Sequence, residues 1–198
     1  MKHKVGIFGG TFNPPHLGHL SAAKAFLTNV DLDSLIIMPA CIPPHKEYDS
    51  IVSSEERLRM CEIAFSDLPK TSVSDLEISR QGKSYTYLTL QELSSEDSEL
   101  YFLCGTDMIL TMDQWKNPDI IFSLANICYI RRENDQRTTA LIDEKCREYS
   151  RKFGAKVIPI EAKVIEISSS DIRNNLSVFS DYLDARVLEY INKVRLYK

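Results

Sequence analysis

Two histidines three residues apart, His16 and His19, close a stretch that reads Gly9-Gly10-Thr11-Phe12-Asn13-Pro14-Pro15-His16-Leu17-Gly18-His19. At that spacing on a helix start, both rings can face one point in space. A helix N-terminus already favours anions through its unsatisfied N–H groups and its dipole, so two imidazole donors added there suit a polyphosphate. Gly9 and Gly10 let the backbone come close to a ligand, Pro14 and Pro15 stiffen the loop, and Gly18 leaves room at the helix start. An isolated H-x-x-H is more often a pair of ordinary surface histidines, and the metal reading lacks both an H-E-x-x-H helix and a nearby third ligand. The glycine and proline setting turns the balance toward phosphate. Two other phosphate motifs fail. Gly82-Lys83-Ser84 looks like the end of a P-loop, but Glu77 stands where its first glycine belongs, and Gly9-Gly10 does not extend into G-x-G-x-x-G.

A second group lies near the other end, where Ile167-Ser168-Ser169-Ser170-Asp171-Ile172-Arg173 sets hydroxyls at a strand-to-helix junction and an arginine in the first turn. Serine there serves equally as a cap. The arginine's fixed donor fork suits a phosphate. Between these two groups, Trp115 offers a flat face to a planar ring, and helix starts near Thr86 and Lys116 supply N–H donors to a carboxylate. Lys46 by itself reads as a solvated surface charge, and Trp115 by itself as a packing residue.

The elements that must position these residues alternate. Lys4 to Phe8 reads as a short buried strand, Leu17 to Leu27 as a helix, and Ser34 to Met38 as a second apolar strand closed by Pro39. Pro43-Pro44 keeps the chain extended through His45-Lys46, and a helix begins at about Ser53, which heads a capping box with Glu56. Further expected elements are a helix at Thr86 to Leu93, a strand at Leu100 to Cys104, a helical turn from Asp107 to Met112, and a helix starting at Asn117-Pro118 with Asn as N-cap. A strand at Asn126 to Ile130, a polar amphipathic helix at Thr139 to Phe153, a strand at Lys156 to Ile160, and helices near Ser170 to Leu176 and Asp184 to Lys193 complete the chain. Strands that alternate with helices and are apolar throughout indicate an α/β fold with an open, mainly parallel sheet covered on both faces. Residues 1–198 read as a single domain with a C-terminal helical portion from about residue 169.

Composition narrows the classes. The 198 residues, 43% hydrophobic, suffice for one substantial core without disulfides or a structural metal. No run approaches the roughly 20 apolar residues that span a bilayer, and the N-terminus lacks a signal peptide's apolar core, so the expected location is cytoplasmic, with no membrane partner. Five widely spaced cysteines, with no C-x-x-C pair, read as reduced and mostly packed thiols. A formal charge of -4 argues against nucleic acid as a partner, since phosphate neutralisation needs clustered Lys and Arg in excess.

The histidine loop resembles the G-x-F-x-P-x-H-x-G-H motif of the nucleotidylyltransferase superfamily, whose fold is a Rossmann-like sheet. Gly10, Phe12, Pro14, His16, Gly18 and His19 fill its specified positions. The segment from Ile167 to Arg173 resembles that superfamily's I-S-S-T-x-I-R motif, with Ser170 in place of Thr, and Pro43-Pro44-His45-Lys46 resembles the P-P-H-K loop of bacterial nicotinate-nucleotide adenylyltransferases. Ser84-Tyr85-Thr86-Tyr87 and Gly105-Thr106-Asp107 followed by Trp115 keep the same order and spacing, so the likeness runs over nearly the whole chain.

The resemblance implies adenylyl transfer from ATP to nicotinic acid mononucleotide, with pyrophosphate released in NAD biosynthesis. His16, His19, Lys46 and Arg173 would act on the reacting phosphates. ATP would lie against Gly9, Gly10, Thr11, Phe12, His16, His19, Gly105, Asp107, Ile167, Ser168, Ser170 and Arg173. The mononucleotide would meet Asn13, His45, Lys46, Ser84, Tyr85, Thr86, Trp115 and Lys116, with the tryptophan stacked on the pyridine and the backbone amides of residues 86 and 116 on the carboxylate. Mg2+ would arrive with ATP, and no acidic cluster forms a dedicated metal cage. Two departures stand out: Asn13 occupies a position where family members often have Asp, and Lys116 replaces an aromatic or other residue. The rival acceptors are nicotinamide mononucleotide and phosphopantetheine, and the rival class is a catalytically silent nucleotide-binding module. A homo-oligomer stays open.

Overall fold

The computed structural model describes residues 2–44, 51–130, 136–163 and 165–197. Six strands form one parallel sheet in the order β3-β2-β1-β4-β5-β6: β1 His3–Gly10, β2 Ser34–Pro39, β3 Thr71–Val73, β4 Ser98–Gly105, β5 Ala125–Ile130 and β6 Val157–Ile160. The register pairs Ile7 with Phe102, Leu103 with Cys128 and Ile127 with Val157. The helices are α1 Leu17–Val30, α2 Ser54–Phe65, α3 Leu76–Arg80, α4 Thr86–Leu93, α5 Thr106–Ile109, α6 Pro118–Leu124, α7 Gln136–Phe153, α8 Ser169–Asn174, α9 Leu176–Phe179 and α10 Ala185–Val194. In open sheets of this kind ligands gather at the carboxyl ends of the strands. Gly9-Gly10, which open the histidine loop, are the carboxyl end of β1.

The chain divides into two compact units. One comprises 1–8, 25–35 and 85–162. Its β4 and β5 are buried almost without interruption, as parallel strands covered on both faces must be. Gly6 is glycine for want of space, because a Cβ there would press on the side chains of Leu32, Phe26 and Leu35. A second cluster stacks Phe122 on Tyr149 and on Phe153, each at 4.8 Å between ring centroids. The fully buried Tyr149 donates its hydroxyl to the Ile109 carbonyl (2.7 Å) and to Asp113 (3.0 Å). Lys145 binds the other oxygen of Asp113 at 3.0 Å.

The other unit comprises 9–24, 36–84 and 163–198. Its core joins α2, through Met60, Cys61, Ala64 and Phe65, to Phe12 of the loop and to α10, through Val187 and Ile191. Arg186 at the start of α10 ties back to Asp67 at 2.9 Å.

Several expectations shift in detail. The half of the capping box at Ser53 that accepts from the Glu56 N–H is present at 3.2 Å, but the Glu56 carboxylate accepts the Tyr190 hydroxyl at 2.6 Å. Pro118 does open α6, yet Asn117 is left-handed (φ 54°) and makes no side-chain cap. The expected single helix after Ser170 is broken into α8 and α9 at Asn175. β3 and α3 carried no expectation, being too short for a periodic signal. All five cysteines are free, with Cys61, Cys104 and Cys128 buried.

Candidate active site

The histidine loop is shaped first by its own packing. Phe12 adopts a left-handed backbone (φ 49°) that folds its ring under Gly10, where a Cβ would stand only 2.9 Å from the ring. Gly10 is therefore required by the loop's own phenylalanine, which is 1% exposed and meets His19 edge-on at 5.0 Å. The Asn13-Pro14 peptide is cis. His16 caps α1 with its carbonyl, which accepts from the N–H groups of His19 and Leu20. Gly18 makes room for the His16 ring, since a Cβ there would lie 3.0 Å from two ring atoms.

These constraints bring the two imidazoles together, 3.7 Å between centroids with their planes 36° apart. The His16 N–H donates to Nδ1 of His19 at 3.2 Å. An accepting Nδ1 carries no proton, so Nε2 of His19 is the donor nitrogen. Two imidazoles beside a helix start can donate to an anion such as a phosphate.

The Ile167 to Arg173 segment docks onto the same loop. Ser169 donates to the Pro14 carbonyl at 2.9 Å, and Arg173 donates Nη1 to the Asn13 carbonyl at 2.8 Å and Nη2 to the Ser170 hydroxyl at 3.1 Å. Ser168 heads a complete capping box: its hydroxyl accepts from the Asp171 N–H at 3.1 Å and its backbone N–H donates to the Asp171 carboxylate at 3.0 Å, to which the hydroxyl also donates at 2.6 Å. The Ser168 hydroxyl and N–H hold the Asp171 carboxyl below the usual carboxylate range, and the nearby His16 adds a smaller pull in the same direction. Two motifs some 150 residues apart in sequence thus share one loop.

Two residues that sequence reasoning missed hold this loop from behind. Arg57 is only 1% exposed, and its guanidinium donates Nε to the Val52 carbonyl (3.2 Å), Nη1 to that of Thr11 (2.9 Å) and Nη2 to that of Cys41 (2.9 Å). Burial lowers its pKa, with Cys61 and Tyr197 opposing. A signal existed: Arg57 stands in line with Met60, Cys61 and Ala64 on the buried stripe of α2, where an arginine demands carbonyl or carboxylate partners. Tyr197, whose hydroxyl meets Asn13, had none.

Ser84 is committed to the loop after β2, its hydroxyl accepting the Cys41 N–H at 2.9 Å and its N–H donating to the Ile42 carbonyl at 2.9 Å. His45 and Lys46 lie outside the described residues.

Of the expected acceptor residues, Tyr85, Thr86, Trp115 and Lys116 belong to the other unit. Thr86 is the first residue of α4 and presents its N–H from a helix start. The Lys116 ammonium lies 4.7 Å over the Tyr85 ring. Trp115 is half-buried against Phe102, edge-on at 6.3 Å, with its backbone N–H on the Met112 carbonyl. At the end of β4, a Cβ on Gly105 would stand 2.6 Å from an oxygen of Asp107, so glycine lets that carboxylate lie where it does. Among the described residues no group of three or more His, Cys, Asp or Glu side chains could hold a metal ion.

Residues 7–175 match the model of the cytidylyltransferase-like family. A protein of Clostridium novyi named "Probable nicotinate-nucleotide adenylyltransferase" is 37% identical, over 98% of this chain and 99% of its own length. One of the same name from Listeria monocytogenes is 33% identical, over 100% and 98%. The chain belongs to the nicotinate-nucleotide adenylyltransferases. The nicotinic acid mononucleotide adenylyltransferase of Plasmodium falciparum, solved with NaAD, superposes with a TM-score of 0.76 over 98% of this chain and 97% of that one. At 20% identity this likeness speaks for the fold, the Rossmann-like sheet expected of nicotinate-nucleotide adenylyltransferases. No helix among the described residues is long and apolar enough to cross a membrane.

Proposed function

We propose that this adenylyltransferase joins the AMP half of ATP to nicotinic acid mononucleotide, and that the histidine loop holds the reacting phosphates. The observation that carries the reading is the pair of imidazoles with ring centroids 3.7 Å apart at the start of α1, on a loop to which Arg173 is also docked. The 5'-phosphate oxygen of the mononucleotide attacks the α-phosphorus of ATP in line. A P–O bond forms there, the bond from the α-phosphorus to the bridging oxygen breaks, and that oxygen leaves with pyrophosphate. No protein nucleophile is involved. The protein's share is positioning and stabilisation of spread negative charge, assigned to His16, His19, Lys46 and Arg173. Mg2+ would enter with ATP as part of the substrate, held mainly by phosphate and water oxygens. Free cysteines suit a reducing compartment, and the cytoplasm is the proposed location.

Recognition of the pyridine is assigned to Tyr85, Thr86, Trp115 and Lys116. Nicotinate carries an anion where nicotinamide carries an amide that needs both a donor and an acceptor. Backbone N–H groups at residues 86 and 116 can only donate, so the amide NH2 would meet another donor, at a cost of about 1 to 3 kcal/mol, and a charge-assisted bond would be lost as well. Side-by-side kinetics at saturating ATP and Mg2+ should give the acid mononucleotide an advantage of roughly 10² or more in kcat/KM. Equal efficiency, or preference for the amide, would overturn the acceptor assignment.

A further inference from the structure

The turn that follows α10 returns the chain to the histidine loop. After α10, Arg195 is left-handed (φ 60°) and Tyr197 is left-handed again (φ 59°), a conformation that non-glycine residues adopt only where their surroundings hold them. The Arg195 and Leu196 N–H groups both donate to the Ile191 carbonyl, which closes the helix and redirects the chain. This reversal carries the Tyr197 phenol into the electrostatic reach of Arg173 and Arg57, and its hydroxyl donates to Oδ1 of Asn13 at 2.7 Å, across 184 residues of sequence. Burial raises the phenol's pKa, so it stays a donor at any ordinary pH.

Asn13 is the point of attachment. It is 2% exposed and stands three residues before His16. Its Oδ1 also accepts the Val52 N–H at 3.3 Å, and its backbone carbonyl accepts Arg173. Two donors on Oδ1 settle which way the amide is turned, and they join the loop to the segment before α2 and to the chain's end. A phenol that only filled space would need no hydroxyl there.

Accepting that the histidine loop carries the reacting phosphates, we propose that Tyr197 is a positioning residue for adenylyl transfer, acting through Asn13 to hold His16 and His19 in place. Displacement of catalytic donors by a fraction of an ångström is felt in turnover more than in ground-state binding. Tyr197→Phe keeps the ring and its packing and removes only the hydroxyl.

The test is steady-state pyrophosphate release with ATP and nicotinic acid mononucleotide for Tyr197→Phe, Asn13→Ala, the double variant and a chain ending at Leu196, each with a melting temperature. Tyr197→Phe is expected to lower kcat about 5- to 10-fold, with both KM values within about twofold and melting little changed. The truncated chain should lose at least as much. The double variant should be no worse than the more severe single one, because both substitutions break one link. Wild-type kcat in Tyr197→Phe, a fall in melting temperature with kcat unchanged, or losses that multiply in the double variant would each overturn the proposal. His19→Ala, run in parallel, tests the loop reading by itself: full activity there removes the foundation, whereas an inactive His19→Ala beside a fully active Tyr197→Phe defeats the latch alone.

Discussion

Replacing Arg57 with methionine removes a buried cation while keeping much of its volume, and the structure sets the size of the effect. Three backbone carbonyls, those of Thr11, Cys41 and Val52, lose their guanidinium donors at 2.9, 2.9 and 3.2 Å. A hydrogen bond to a charged group contributes about 1.5 to 3 kcal/mol, and a buried carbonyl left without a donor costs about 1 kcal/mol or more. Against this, the variant no longer desolvates a guanidinium, a penalty visible in the pKa that burial pulls down. We expect a net loss of about 3 kcal/mol. For a chain of 198 residues, at about 2 to 4 °C per kcal/mol, that is a melting temperature lower by about 6 to 12 °C. Arg57→Lys keeps the charge but cannot span three carbonyls as a rigid fork does, so about half the loss should remain. Because the Thr11 carbonyl belongs to the histidine loop, kcat/KM of Arg57→Lys, measured well below its melting temperature, should fall about 10-fold. Thermal melts, urea titrations and pyrophosphate release on the three proteins check this. An Arg57→Met variant within about 0.5 kcal/mol of the parent would show that the fork holds nothing the backbone does not hold alone.

Two further outcomes follow from the same geometry. His19→Ala, and nearly as strongly His16→Ala, should lower kcat by about 10² with a modest change in stability if, as proposed, each donates to transition-state charge; near-normal turnover in both purified variants would defeat the assignment. Burial works to raise the pKa of Asp113, but the bonds from Lys145 and Tyr149 outweigh it and hold the carboxyl below its ordinary value. A depressed folded pKa stabilises above the unfolded value near 4 and loses that contribution as pH falls through the folded value. Asp113→Asn should therefore cost about 1 kcal/mol at pH 7, with the gap to the parent narrowing as pH falls below about 4 in urea titrations; a gap independent of pH would refute the charge-based account.

Much of this protein was legible in one dimension because the signals are local. The carboxyl end of β1, the start of α1 at Leu17 and the bounds of α4 follow from glycines, prolines, caps and apolar spacing within a few residues of each position. The histidine and Ile167 to Arg173 motifs were readable for the same reason, since each is a short contiguous run of residue types at fixed spacing. Tertiary structure decided what depends on partners distant in sequence. Gly10 proved to be shaped by the ring of Phe12, and the Glu56 carboxylate, expected to complete a local capping box, went to Tyr190 instead. Arg57 draws its three carbonyls from positions 5, 16 and 46 residues away, and the Tyr197 hydroxyl meets an amide 184 residues back. A buried polar group is tolerated only where such partners converge, and no window of sequence contains that convergence.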